Sequence, residues 1–282
     1  MRTFLDKLRE IKQNEISKRQ IEKNEYYLRA EVNDLDKAPD FRKRLIRNHG
    51  EPISLILEVK SRAPGRINVE QLETETIVKE FERGGAKAIS VLTDQSWFGG
   101  SLGILEKVSR ATTLPLMHKE FIINSYQLLE GRLRGASAAL ILAYYFNQTE
   151  LRKIVTEAEN IGLEAVVECS VENELSRALA INPDILMINN RPIASIPEEP
   201  TETYDKGNIE VISEWWERYP ELRRWKRHPG KLLISASCIN SPEDIKRILK
   251  IPCDAVLVGN AAMAAKDRVG FLRSLTETVN QN

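Results

Sequence analysis

The chain has 282 residues, 42% hydrophobic and 29% charged, a balance that suits one large folded domain rather than a disordered or membrane-embedded chain. Its 41 basic and 41 acidic residues cancel, which argues against nucleic acid or an anionic membrane as the main partner. Three cysteines (Cys169, Cys238, Cys253) without metal-ligand or disulfide spacing, a charged start and no apolar run near the ~18 residues of a membrane helix point to a soluble protein of the reducing cytoplasm.

Residues 1–30 are expected to be helical, with Phe4, Leu5, Leu8 and Ile11 on one face. A polar stretch over 33–52 leads into the first of eight apolar, β-branched runs, at 53–60, 87–93, 115–119, 138–143, 164–168, 185–189, 232–236 and 254–258. Helical patterns fill the gaps. The stripe Leu72, Ile77, Val78 and Phe81 ends at Gly84-Gly85, Tyr126, Leu129 and Leu133 end at Gly135, and Leu151, Ile154, Val155 and Ala158 end at Gly162. Ser241-Pro242-Glu243-Asp244 reads as a helix start, with a serine cap, proline in the first turn and acids near the positive end of the dipole. Between the sixth and seventh runs lies a long connection. It is expected to hold a helix in NIEVISEWWERY and a basic tail from Arg223 to Lys231, either a decorated surface helix or a lid or partner surface.

Eight alternations of strand and helix predict an α/β protein of the (β/α)8 TIM-barrel type, a single domain over 1–282 with 1–48 as an N-terminal helical extension. A doubly wound open sheet is the alternative, but the first strand runs into SRAPGRIN, which lacks the glycine-rich dinucleotide turn. In a barrel the C-terminal strand ends share one mouth, where active sites of this architecture lie.

The residues placed there can do chemistry. Glu58 and Lys60 lie two apart on one strand and so point to the same side, as a pair able to bind an anion and hand over a proton. Lys119 can serve as general acid, carboxylate anchor or Schiff-base former. Glu168 is the candidate general base or cation stabiliser, Asn189 and Arg191 share a side of the sixth strand, and Arg191 suits fork-type carboxylate recognition. Ser237, Gly259 and Asn260 form a candidate phosphate site after strands seven and eight, Asn260 serving as N-cap of a short helix. Cys238 is open to reading as a nucleophile, but no histidine is placed to activate it, and His118 should point away from Lys119; Cys169 reads as a packed core cysteine.

The motifs FLDKLREIKQNEI, ILEVKSRAPG, AISVLTDQSWFGGSL, LPLMHKEFIINSYQ, GLEAVVECSVENEL, INNR and DAVLVGNAAM together resemble the indole-3-glycerol phosphate synthase family of tryptophan biosynthesis, from the N-terminal helix to the end of the chain. The resemblance implies a lyase that closes an anilino-deoxyribulose phosphate onto its own aromatic ring with loss of carbon dioxide and water, without metal or organic cofactor. It implies Lys119 as general acid, Glu168 as ring-cation stabiliser or proton acceptor, and Glu58 and Lys60 in dehydration and substrate anchoring. Asn189 and Arg191 would line the anthranilate end, and Ser237, Cys238, Gly259 and Asn260 would fall at the phosphate. The implied partner is a phosphorylated small molecule, and the implied assembly a monomer or weak homodimer.

The chain departs from the family pattern at Ala63 and Gly65, where serines are usual, at Pro192 in place of aspartate, and at Asn260 in place of serine. On strand seven, Ala-Glu-Ser-Gly-Ile has become Ser235-Ala236-Ser237-Cys238-Ile239, so a carboxylate is missing at 236 and a side chain stands at 238 where glycine is usual. Three readings are therefore open: the family reaction, a related cyclisation on another amino-sugar phosphate, or a binding protein that retains the barrel.

Overall fold

A computed structural model describes residues 4–48, 50–61, 73–192 and 207–277. Its centre is a closed parallel barrel in the order β1 to β8, with β8 pairing back onto β1. The strands are β1 Ser54–Val59, β2 Ala86–Leu92, β3 Leu116–Lys119, β4 Ala138–Leu142, β5 Glu164–Cys169, β6 Ile185–Asn189, β7 Leu232–Ala236 and β8 Ala255–Val258. Each falls on one of the eight expected runs, because a parallel strand covered on both faces must be apolar on both. The (β/α)8 architecture is as the alternation implies.

The helices are α1 Phe4–Glu22, α2 Glu25–Asn33, α3 Phe41–Leu45, α4 Thr74–Arg83, α5 Leu102–Ala111, α6 Ser125–Leu133, α7 Gln148–Asn160, α8 Glu172–Ile181, α9 Val211–Arg218, α10 Pro220–Arg227, α11 Pro242–Ile248, α12 Asn260–Ala264 and α13 Arg268–Glu277. The start of α11 is as read from the sequence: Ser241 accepts from the Asp244 amide, and Asp244 completes the capping box. No helix among the described residues is long and apolar enough to cross a membrane.

Three expectations change. From Phe4 onward the expected single helix is two, because Asn24 leaves the helical conformation and caps α2 through its side chain on the Tyr26 amide. On α1 the buried stripe runs Phe4, Leu5, Leu8, Lys12 and Ile16, while Ile11 is 36% exposed. A lysine takes the inward place because carboxylates wait for it there. The basic tail is a helix as well: α10 buries Leu222 and Trp225, the Trp225 indole donates to the Pro183 carbonyl (2.8 Å), and Lys226 pairs with Asp254 (2.7 Å). Buried Lys231 pairs with Asp184 (3.0 Å). That end of the long connection is a packed surface layer, and residues 193–206 lie outside the described residues.

The N-terminal helices cover both ends of the barrel. α3 sits at the N-terminal end, where the Arg42 amide donates to Glu164 (2.8 Å) at the start of β5 and the Arg47 guanidinium donates to the Cys253 carbonyl (3.0 Å) before β8. α1 lies across the C-terminal rim: Phe4 packs edge-on against Trp97 at 4.6 Å, and Arg9 donates to the Tyr145 carbonyl (2.9 Å) just after β4. Leu5 and Leu8 are fully buried beneath it, each stabilising the docking by ~1.5–3 kcal/mol.

Candidate active site

The mouth holds a charged cluster in an otherwise apolar barrel. Glu58, 3% exposed, sits between two ammonium groups, with Lys60 Nζ at 2.6 Å from Oε1 and Lys119 Nζ at 2.7 Å from Oε2. Burial opposes ionisation of Glu58, but Lys119 and Lys60 hold its pKa down to about 2. The two lysines move in opposite directions. Burial pushes Lys60 down against the pull of Glu58, with Lys119 and Arg191 repelling it. Lys119 suffers the same burial, but Glu58 and Glu168 together raise it. Lys119 is thereby a persistent acid at neutral pH, and Lys60 is the amine more ready to release a proton.

Glu168, 2% exposed, is the other carboxylate. Its Oε1 accepts from Asn189 Nδ2 at 2.9 Å, and Oε2 is buried with no hydrogen-bond partner among the described residues. Burial raises its pKa above the ordinary carboxylate value, opposed by Lys119 and Asn189, which makes it the better proton acceptor of the two buried carboxylates. Asn189 closes β6, and Arg191 lies just beyond, its amide donating to Asn189 Oδ1 (3.1 Å) and its charge felt by both lysines. Ala236 pairs in register with Asn189 and so faces the same interior, offering a methyl where the family pattern has a carboxylate.

The phosphate-type corner differs in detail from the sequence expectation. Gly259, not Asn260, occupies the N-cap position of α12, without a side-chain cap, and Asn260 is the first helical residue. The first-turn amides of such a helix have no intrahelical acceptor and suit an anion. Gly259 has a second task. A Cβ built on it would lie 2.5 Å from Glu58 Oε1 and 3.0 Å from Lys60 Nζ, so glycine here makes room for the ion pair. Gly259→Ala is therefore expected to cost roughly 1–3 kcal/mol of stability, read from the urea unfolding midpoint, and to lower turnover by displacing Lys60.

Ser237 and Cys238 follow β7 in two successive left-handed conformations (φ 68° and 62°), and with Asn182 they are the non-glycine residues of positive φ among those described. Asn190, fully buried, pins this bend: its amide donates to the Ala236 carbonyl (2.9 Å), and Nδ2 donates to Ser235 Oγ (2.9 Å) and the Ser237 carbonyl (3.2 Å). Cys238 Sγ points to the Asn190 carbonyl at 3.8 Å. Cys238→Gly is expected to raise stability by ~1 kcal/mol net, because a left-handed L-residue costs roughly 1–2 kcal/mol and glycine returns part of that through its looser unfolded state. A higher melting temperature is the readout.

His118 does point away from Lys119, into the layer outside the barrel, where Nε2 meets Thr93 Oγ1 at 2.9 Å. Burial, with Lys12 and Arg19 nearby, pushes its pKa down to about 3, so it is neutral and takes no part in the mouth. Cys169 is buried in the core. Residues that reading the sequence for chemistry passed over are Asn190, Lys12, Asp94 and Glu120. The last two stand inside LTDQSW and HKEF, and Lys12 was hidden because a single lysine on a polar helix carries no signal.

An α/β barrel with a buried lysine–glutamate cluster and an anion-suited corner at its C-terminal mouth defines a (β/α)8-barrel enzyme class. The family model for indole-3-glycerol phosphate synthase matches residues 5–275. The chain is 31% identical over 268 residues to the indole-3-glycerol phosphate synthase of Desulforamulus reducens, covering 94% of this chain and 93% of that one. It is 35% identical to that of Staphylococcus haemolyticus over 82% of each chain, and 34% identical to that of Prochlorococcus marinus over 88% of this chain and 81% of the relative. Among solved structures, thiamine phosphate pyrophosphorylase from Pyrococcus furiosus superposes with a TM-score of 0.53 at 15% identity, covering 85% of this chain and 98% of that one, a likeness of fold alone. The chain belongs to the indole-3-glycerol phosphate synthase family.

Proposed function

We propose that the protein is an indole-3-glycerol phosphate synthase, a lyase that converts 1-(2-carboxyphenylamino)-1-deoxyribulose 5-phosphate to indole-3-glycerol phosphate, carbon dioxide and water. The observation that carries the reading is the Lys60–Glu58–Lys119 array facing Glu168 at one barrel mouth. Four titratable groups are pushed apart in pKa within one pocket, the arrangement that separates acids from bases.

In this reading Lys119 donates its proton to the ketose carbonyl oxygen as the ring carbon bearing the carboxylate attacks the carbonyl carbon. Charge then develops on the aromatic ring and its nitrogen, next to Glu168, whose Oε2 has no hydrogen-bond partner among the described residues. Loss of carbon dioxide returns the electron pair to the ring. Departure of the hydroxyl as water needs a proton delivered and another removed; Lys60 supplies the first and Glu168 takes the second. Glu58 keeps both lysines in place and Lys119 charged. Arg191 and Asn189 meet the anthranilate carboxylate end, and the amides at Gly259 to Ala261 with the bend at Ser237 and Cys238 receive the phosphate. The phosphorylated substrate is the proposed partner, and the cytoplasm the proposed compartment, in keeping with three free cysteines.

The test is direct: incubate the protein with the carboxyphenylamino-deoxyribulose phosphate and follow indole fluorescence together with carbon dioxide release. Stoichiometric appearance of both is expected. Binding of the substrate without either product would overturn the reading.

A further inference from the structure

Outside the mouth a buried ionic cluster gathers three carboxylates round Lys12. Lys12 projects inward from α1, 1% exposed, and its Nζ meets Asp94 Oδ1 at 2.7 Å, Glu15 Oε2 at 3.0 Å and Glu120 Oε1 at 3.2 Å. Burial would lower its pKa, but Glu120 and Asp94 hold it above the ordinary lysine value, so the ammonium is permanent. Such a cluster is costly to bury, and removing its cation leaves the buried Asp94 and Glu120 carboxylates without their shared counter-charge.

The partners of Lys12 lead back to the mouth by two short routes. Asp94 Oδ2 accepts from the Trp97 and Phe98 amides (2.7 and 3.1 Å), and the Asp94 carbonyl accepts from Gly100 (2.7 Å), which together shape the turn after β2. That turn offers the carbonyls of Phe98 and Gly99 to Ser61 Oγ (3.2 and 2.6 Å), and Ser61 adjoins Lys60. On the second route Glu120 adjoins Lys119. Its Oε2 accepts from Thr93 Oγ1 (3.0 Å), its Oε1 accepts from the Phe121 amide (2.8 Å), and the Thr93 amide donates to the Lys119 carbonyl (3.1 Å). Both routes begin at one ammonium and end one residue from a lysine of the Glu58 array.

We propose that Lys12, from the N-terminal extension, is a positioning residue that sets the spacing of Lys60 and Lys119 about Glu58 by clamping the turns that follow β2 and β3. The proposal rests on the reading of that array as the ring-closing machinery. It gives the extension a role in turnover beyond covering apolar surface. Ångström-scale placement of acid and base is worth orders of magnitude in rate, so a loosened clamp is felt at kcat before it is felt in substrate binding.

The test uses the full-length chain with Lys12→Met, which keeps the length and apolar stem and removes the charge, studied well below its melting temperature. Hydrogen exchange is read amide by amide and steady-state kinetics beside it. The expected result is ~10-fold or greater acceleration of exchange confined to Thr93, Phe98, Gly100 and Phe121, with kcat lower by ~10–100-fold and KM within about threefold of the parent. Uniform acceleration across β6 and β7, or a folded variant with parental kcat, overturns the proposal. If Lys12→Met does not fold, Asp94→Asn takes its place; it keeps an acceptor for the Trp97 and Phe98 amides while discharging the Lys12 contact, and the same outcomes decide. If the parent itself shows no turnover, the functional reading fails, and the exchange pattern alone still decides whether Lys12 clamps these turns.

Discussion

Lys119→Met is expected to reduce kcat by about two to four orders of magnitude, the usual worth of a positioned general acid. The loss should appear in kcat and kcat/KM alike, because the proton is needed only as the carbonyl oxygen gains charge. The same change alters acid stability with a defined sign. Glu58 has its pKa depressed from 4.5 to about 2, so the stability it contributes is present above about 4.5 and is lost as pH falls towards 2. Without Lys119 only Lys60 holds that carboxylate down, the folded-state pKa rises towards the unfolded value, and the contribution shrinks. Acid unfolding monitored by circular dichroism should therefore begin at higher pH in Lys119→Met than in the parent. An unchanged kcat would remove Lys119 from the chemistry; an unchanged acid limb would mean that Lys60 alone holds Glu58.

Glu168→Gln is expected to separate stability from activity. Glu168 is a buried carboxylate whose pKa burial raises, with one oxygen bonded to Asn189 and the other unsatisfied. The sign is opposite to that of Glu58: as pH rises through the unfolded value the folded state holds on to its proton longer, so ionisation of this group costs stability near neutrality. A neutral amide of the same shape avoids that cost, can keep the bond from Asn189 Nδ2 through its own Oε1, and should raise stability by ~1 kcal/mol at pH 7. Turnover should fall by ~10²–10⁴-fold, because the amide neither accepts the proton nor stabilises the ring cation. Denaturant unfolding and indole fluorescence measure the two arms. A variant that is both less stable and fully active would show Glu168 to be structural.

The comparisons favour the family reaction over a shifted cyclisation or a binding protein that retains the barrel, although strand seven lacks the usual carboxylate. There the register partner of Asn189 on β7 is Ala236, which carries only a methyl. The proton transfers of the dehydration step accordingly fall on Glu168 and Lys60 together. The departures at Ala63 and Gly65 lie outside the described residues, as does the stretch 193–206 of the long connection.

What the sequence determined by itself was local in origin. Eight apolar runs alternating with helical patterns marked the strands, since a strand buried on both faces has no choice but to be apolar. Their last residues marked the mouth, since the parallel closed topology puts all those ends on one side. Glu58, Lys60, Lys119, Glu168 and Asn189 could be picked out for that reason. Tertiary structure alone decided which charges meet. Nothing local says that Glu58 lies between two lysines 61 residues apart in one pairing and two in the other, or that Gly259 is small for the sake of that pair. The inward turn of Lys12 in place of Ile11 was beyond sequence for the same physical reason. A charge is buried only where distant partners neutralise it, and Asp94 and Glu120 reach Lys12 only once β2 and β3 are side by side in the barrel.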